Sequence, residues 1–185
     1  MALMAEINSA LSGAMGLARG DRSAIDAFPN NEPAFWRSFG AIAIILPINF
    51  MIVSMRPVTQ GQSDYGFSDL LATLIQWVAF PLLMIVIVRL LNLGARYSLF
   101  IIAYNWSSVF IVAALMPAAL LASMTSADHP LVIIVSLVSL IFVLWYSAFL
   151  AHVALATHWL NAIGIVALDV VLSLLVNGLV TKGFG

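Results

Sequence analysis

Asp169 is a lone carboxyl group inside a long apolar run. A carboxyl near mid-membrane must be paired, hydrated or protonated, which makes it a candidate proton or cation site. Three amides sit in comparable runs: Asn49, Gln76 and Asn105. At helical rise, Asn49 falls roughly 18 Å, Gln76 roughly 20 Å, Asn105 roughly 12 Å and Asp169 roughly 15 Å from the same membrane face. Together they read as a mid-membrane polar layer, with Asn177 farther out. The layer has two uses to choose between. One is a site for a proton, a cation or a small solute. The other is a set of interhelical hydrogen bonds, worth ~0.6–2 kcal/mol each, that fix helix register. Around Asn105, the stretch Tyr104-Asn105-Trp106-Ser107-Ser108 is the most polar inside any run. Ser107 and Ser108 are expected to bond back to their own helix. Tyr104 and Trp106 either line a cavity or pack the bundle.

Other chemistry is thin. His152 and His158 are six residues apart, a helical rotation of ~600°, so they do not share a face. His129 belongs to the opposite membrane side. Convergent metal or haem ligands are not expected, and no cofactor is assigned. The motifs H-E-x-x-H, G-x-S-x-G, the P-loop and G-x-G-x-x-G are absent. No catalytic residue is named. The chain has no cysteine, which removes disulfides, thiolate ligands and thiol nucleophiles. A formal net charge of −1 gives no reason to expect nucleic acid as a partner.

The elements that position these residues follow from hydropathy. The 185-residue chain is 63% hydrophobic and 8% charged, with a mean hydropathy of +1.10. A soluble domain carries about 25% charged residues. A bilayer core of ~30 Å needs roughly 20 apolar residues as helix. Five runs qualify, at about 37–55, 69–91, 97–121, 131–155 and 159–180. The runs are continuous, whereas a barrel would alternate in segments of ~10 residues. The expected fold is therefore an all-α integral membrane protein with five transmembrane helices. It is preceded by an amphipathic interfacial helix, in which Leu3, Ile7, Leu11, Ala14 and Leu17 recur at helical spacing and Glu6, Asn8, Ser9 and Ser12 take other faces. Residues 1–30 lack the pattern of a secretory signal. Two prolines and two asparagines break the helix at 28–33, dividing an N-terminal arm (1–32) from a transmembrane domain (33–185).

Asn31 or Glu32 is expected to cap the first span, with Pro33 in its first turn. Phe35, Trp36 and Arg37 then form an interface belt. Arg89, Arg96 and Trp159 are further interface anchors. Ser68 or Asp69 should cap the second span, and Gly94 should end it. Asp128-His129-Pro130 reads as a cap and an early-turn proline for the fourth span. Pro47, Pro81 and Pro117 fall within spans and are candidate kinks. Arg19, Arg22, Arg37, Arg89 and Arg96 lie on one side, with Arg56 and Lys182 on the other. That bias predicts a cytoplasmic N-terminus and an external C-terminus.

The polar arm, Phe35-Trp36-Arg37 entering the first of five spans, Arg96-Tyr97 and Ala103-Tyr104-Asn105-Trp106 resemble bacterial members of the Yip family and small inner-membrane proteins like them. The resemblance implies a five-span helical fold in a bacterial inner membrane. The family's eukaryotic relatives interact with small GTPases in vesicle traffic. From the scarcity of catalytic residues, the expected role is a non-enzymatic scaffold or an accessory subunit of a membrane complex. Its partners would be the lipid bilayer and other membrane subunits or further copies of the chain. The alternative is a small-solute or ion transporter, or a substrate-binding membrane subunit, built on the polar layer around Asp169.

Overall fold

The structure is a computed structural model that describes residues 2–55, 67–126 and 128–184. The described residues are helical, with no strand among them. Seven α-helices follow in order: α1 (Ala2–Ala18), α2 (Glu32–Ser38), α3 (Ile42–Ser54), α4 (Phe67–Leu90), α5 (Tyr97–Met124), α6 (Pro130–Ala154) and α7 (Trp159–Phe184). A short 3-10 turn, Phe39–Ala41, joins α2 to α3, so the two make one 23-residue span, Glu32–Ser54. The other spans are Leu70–Leu90, Gly94–Met124, Pro130–Ala154 and Trp159–Val180.

The spans carry large apolar side chains outward. Leu82 and Val86 on α4, Val138 and Ile141 on α6, and Leu174 and Leu179 on α7 are all exposed. A soluble monomer does not show apolar faces of this extent. Lipid tails cover them at no cost, so the chain is built as an integral membrane protein.

Helix α5 is the centre of the bundle. Phe100–Ala103 and Asn105–Ser108 are buried on all sides, because α2, α3, α4, α6 and α1 each pack against this helix. Helix α7 closes the far side, against α6 and α4. The first span starts at Glu32, five residues before the expected 37, because Asn31 accepts a hydrogen bond from the Ala34 amide at 2.9 Å and so caps α2. Phe35, Trp36 and Arg37 therefore lie within the first two turns of this span. Helix α4 is already helical at Phe67, so Ser68 and Asp69 do not cap it. Most of the expected polar loop before it, Arg56 included, lies outside the described residues. Gly94 does not end α4 either. Asn92 takes the left-handed position at φ 57°, and the Leu93 amide closes back on the Val88 carbonyl at 2.7 Å. His129 caps α6 by accepting from the Leu131 amide, with Pro130 in the first turn.

Helix α1 is not among the helices long and apolar enough to cross a membrane. It docks against α5 and α6, and its buried centre is Ala10, Gly13, Ala14 and Leu17, with Ile7 and Leu11 half-buried at the margin. The Leu3 side chain lies outside the described residues. Burial centres on small residues because they let α1 approach Tyr146, whose hydroxyl donates to the Ala14 carbonyl at 2.9 Å. After α1 the chain folds back as a 3-10 turn, Arg22–Ala27, and packs on it so closely that a Cβ at Gly16 would stand 2.5 Å from that of Ala24. Ala10, Ala14, Leu17 and Phe28 join the same core as the spans.

Candidate functional site

Five spans meet around one cavity of about 330 Å³. Its polar lining is Asn49 from α3, Thr73 and Gln76 from α4, Tyr104 and Ser108 from α5, Ser147 from α6, and Asp169, Ser173 and Asn177 from α7. The α7 residues fall at intervals of four, one face of the helix, and so do Tyr104 and Ser108. Ile45, Ile111, Val112, Val143 and Val166 supply apolar wall, and Trp77 adds an aromatic side.

Asp169 sits at the meeting point. Gln76 Nε2 donates to its Oδ1 at 3.0 Å, and the Tyr104 hydroxyl donates to its Oδ2 at 3.0 Å. Three helices are thus joined through one carboxyl. The Tyr104 ring is held from below by Phe80, stacked at 4.4 Å, and by Phe100 at 5.9 Å. These rings, with buried Met84, Ala162 and Ile165, seal the end of the cavity nearest α1. Along α7 the seal loosens: Ile165 is buried, Asp169 and Ser173 are half-buried, and Asn177 is exposed. The cavity is therefore closed toward α1 and open away from it, and Leu144 and Val170 of its wall are exposed as well.

Some atoms in this region lack partners. Gln76 Oε1 and Trp77 Nε1 are buried without a hydrogen bond. Buried polar atoms are nearly always paired, so an unpaired acceptor and donor on cavity-lining residues mark places where water or a ligand would bond.

Of the four residues expected in the polar layer, Asn49, Gln76 and Asp169 come together at the cavity. Asn105 does not. Its Nδ2 donates to Ser38 Oγ at 2.9 Å, and Ser38 Oγ donates to the Phe35 carbonyl at 2.7 Å. Asn105 shares the depth of the layer but is turned ~100° from Tyr104 on the helix, which aims it at α2. Tyr104 takes its place. Ser108 bonds back to the Tyr104 carbonyl at 2.8 Å as expected, whereas Ser107 is buried without such a bond.

The interface anchors gather at the other end of the bundle. Trp36 is exposed and Phe35 packs edge-on against it. Arg37 is not a free snorkelling cation: its guanidinium pairs with Glu6 of α1 through Nε at 3.0 Å and Nη2 at 2.5 Å. Arg89 stands exposed in the last turn of α4. Arg96 reaches the Ala154 carbonyl at 3.5 Å. Trp159 stacks on His152 at 4.6 Å, and His152 Nδ1 lies 2.6 Å from the Thr157 carbonyl oxygen, so that nitrogen carries the proton. No set of three or more His, Asp or Glu side chains converges to hold a metal among the described residues.

Fold and site together define a five-span helical membrane protein with a polar cavity closed toward α1. No family model matches the chain, and no curated protein and no solved structure matches it.

Proposed function

We propose that this protein is a membrane-embedded small-solute binding protein, a transporter or the solute-capturing subunit of one. The observation that carries the reading is the cavity around Asp169, to which all five spans contribute polar side chains. Register-fixing hydrogen bonds need pairs of side chains in contact. They do not need a space of about 330 Å³ lined by nine polar residues and open away from α1. That volume lies at the small end of ligand pockets. Loading takes place from the open end, and the aromatic seal of Phe80, Phe100 and Tyr104 separates the solute from the other side.

A bacterial inner membrane, which rests on the sequence resemblance, with a cytoplasmic N-terminus and an external C-terminus, supported by the Arg excess on the α1 side, completes this reading. In that orientation the cavity faces outward. Kinship with Yip-like membrane proteins rests on the sequence features alone. A scaffold or accessory-subunit role is the second reading. The observation favouring it is the exposed pair Asn8 and Ser12 on docked α1, with exposed Arg19 just past its end, a polar surface available to another subunit or a second copy.

Thiol access tests the proposal. Cysteine placed at Ser147, on the cavity wall, should react with a membrane-impermeant methanethiosulfonate, while cysteine at lipid-facing Val138 should not. Equal silence at both positions contradicts a water-filled cavity and leaves the scaffold reading in its place.

A further inference from the structure

We infer that the solute carries a primary ammonium group, which sits against Asp169 as its counter-ion. This rests on the solute-binding reading above and names the class of solute.

The charge balance of the cavity is the first argument. Both oxygens of Asp169 act as acceptors, from Gln76 and from Tyr104, which is how a carboxylate anion is held. Both donors are neutral, so they orient the group without balancing it. Among the described residues, no Lys, Arg or His lines the cavity. The basic groups on the surrounding spans lie at their ends. Arg89 on α4 is thirteen residues from Gln76, and Lys182 on α7 is thirteen residues from Asp169, ~20 Å in each case at helical rise. Arg96 and His152 belong to the α1 side and bond to backbone carbonyls there. The one ion pair among the described residues, Arg37 with Glu6, is also on that side. A buried carboxylate without a cation is costly, and a cationic ligand removes the cost.

Hydrogen bonding is the second argument, and it selects among cations. Gln76 gives its amide nitrogen to Asp169 and leaves Oε1 buried and unpaired. The ligand must therefore donate as well as carry charge. An ammonium group has three donors: one for a remaining lone pair of Asp169, one for Gln76 Oε1 and one for a wall hydroxyl or amide such as Asn49. A quaternary ammonium would satisfy the charge and leave Gln76 Oε1 unpaired. A metal cation would need more anionic or carbonyl ligands than one carboxylate and one amide. The faces of Tyr104 and Trp77 favour an organic cation. The valine and isoleucine wall accepts a short alkyl chain.

The experiment uses the Ser147→Cys chain in lipid nanodiscs. The natural sequence has no cysteine, so this thiol is the only one. Three methanethiosulfonates are compared: aminoethyl, trimethylammonioethyl and sulfonatoethyl. Each rate is divided by that reagent's rate with a free thiol in water. The expected order is aminoethyl, then trimethylammonioethyl, then sulfonatoethyl, with about tenfold or more between first and last, as opposite charges at close range in a protein imply. Asp169→Asn should bring the aminoethyl-to-sulfonatoethyl ratio to about one. Gln76→Leu keeps the carboxyl and should erase only the preference for aminoethyl over trimethylammonioethyl. Propylammonium chloride should slow modification, while propionate and 1-propanol should not. Equal normalised rates for cationic and anionic reagents would overturn the ammonium inference and leave a solute cavity standing. Trimethylammonioethyl reacting as fast as aminoethyl would overturn the primary-amine assignment. No reaction with any reagent would overturn the solute-binding reading itself, and this inference with it.

Discussion

Replacing Tyr104 by Phe removes one oxygen and little else. The ring keeps its stack on Phe80 at 4.4 Å and its contact with Phe100 at 5.9 Å. What is lost is the hydroxyl that donates to Asp169 Oδ2 at 3.0 Å. Interhelical hydrogen bonds in membranes contribute ~0.6–1.7 kcal/mol. The cavity can supply a water to the freed oxygen, so the expected loss is about 1 kcal/mol. Tyr104→Ala also empties the ring's place and should cost ~3–5 kcal/mol. The assay is reversible unfolding in mixed micelles, followed by tryptophan fluorescence, for Tyr104→Phe, Asp169→Asn and the double variant. Because Asp169→Asn leaves one acceptor oxygen for two donors and Tyr104→Phe removes one of those donors, the pair should be non-additive by ~0.5–1.5 kcal/mol. Additivity within ~0.3 kcal/mol would show that the two side chains do not act on each other, and would refute the account of how Asp169 is held.

Three further outcomes follow from local geometry. Ala156 ends α6 at φ 47° in an exposed turn, with the Thr157 amide closing on the His152 carbonyl at 3.2 Å. An L-residue is strained there, so Ala156→Gly should raise stability by ~0.5–1 kcal/mol in the same unfolding assay; a loss would argue against this turn. Gly16→Ala would drive a Cβ to 2.5 Å from that of Ala24, a short side chain that cannot yield, so amide exchange across residues 2–28 should accelerate while that of α5 is unchanged. Unchanged protection of the arm would contradict its fold-back. Asp21 accepts from the Ser23 hydroxyl at 2.7 Å and the Ser23 amide at 2.9 Å, and these bonds hold its carboxyl below the ordinary value of 3.8. Its contribution is therefore present above 3.8 and is lost as pH falls through the lowered folded value. Exchange protection of the turn after Asp21 should weaken in that acidic window, and Asp21→Asn should remove the dependence.

The spans were legible because a bilayer leaves the chain little choice: continuous apolar length is needed, and backbone bonds must close within each helix. Caps made by side chains next to the break were legible too, as at Asn31. Depth was readable from helical rise, but azimuth was not. Asn105 and Asp169 occupy similar depths, yet one faces Ser38 and the other faces Gln76 and Tyr104. Each span is apolar on nearly every side, so periodicity does not reveal which face looks inward. A signal was available in polar residues four apart: Asp169, Ser173 and Asn177 on α7, and Tyr104 with Ser108 on α5. The Glu6–Arg37 pair was invisible for another reason. It depends on α1 folding back across thirty residues, which no local pattern encodes.

A solute cavity at this place requires one face of α7 to be wet at membrane depth. Single cysteines along α7, at Val166, Val170, Ser173 and Asn177 on the cavity wall and at Val171, Leu174 and Leu175 toward lipid, can be exposed in turn to an impermeant charged thiol reagent in nanodiscs. Modification is expected at the first set, reaching inward at least to Val170, and at none of the second. Modification only at Asn177, or a rate that falls smoothly with depth regardless of face, would contradict the cavity.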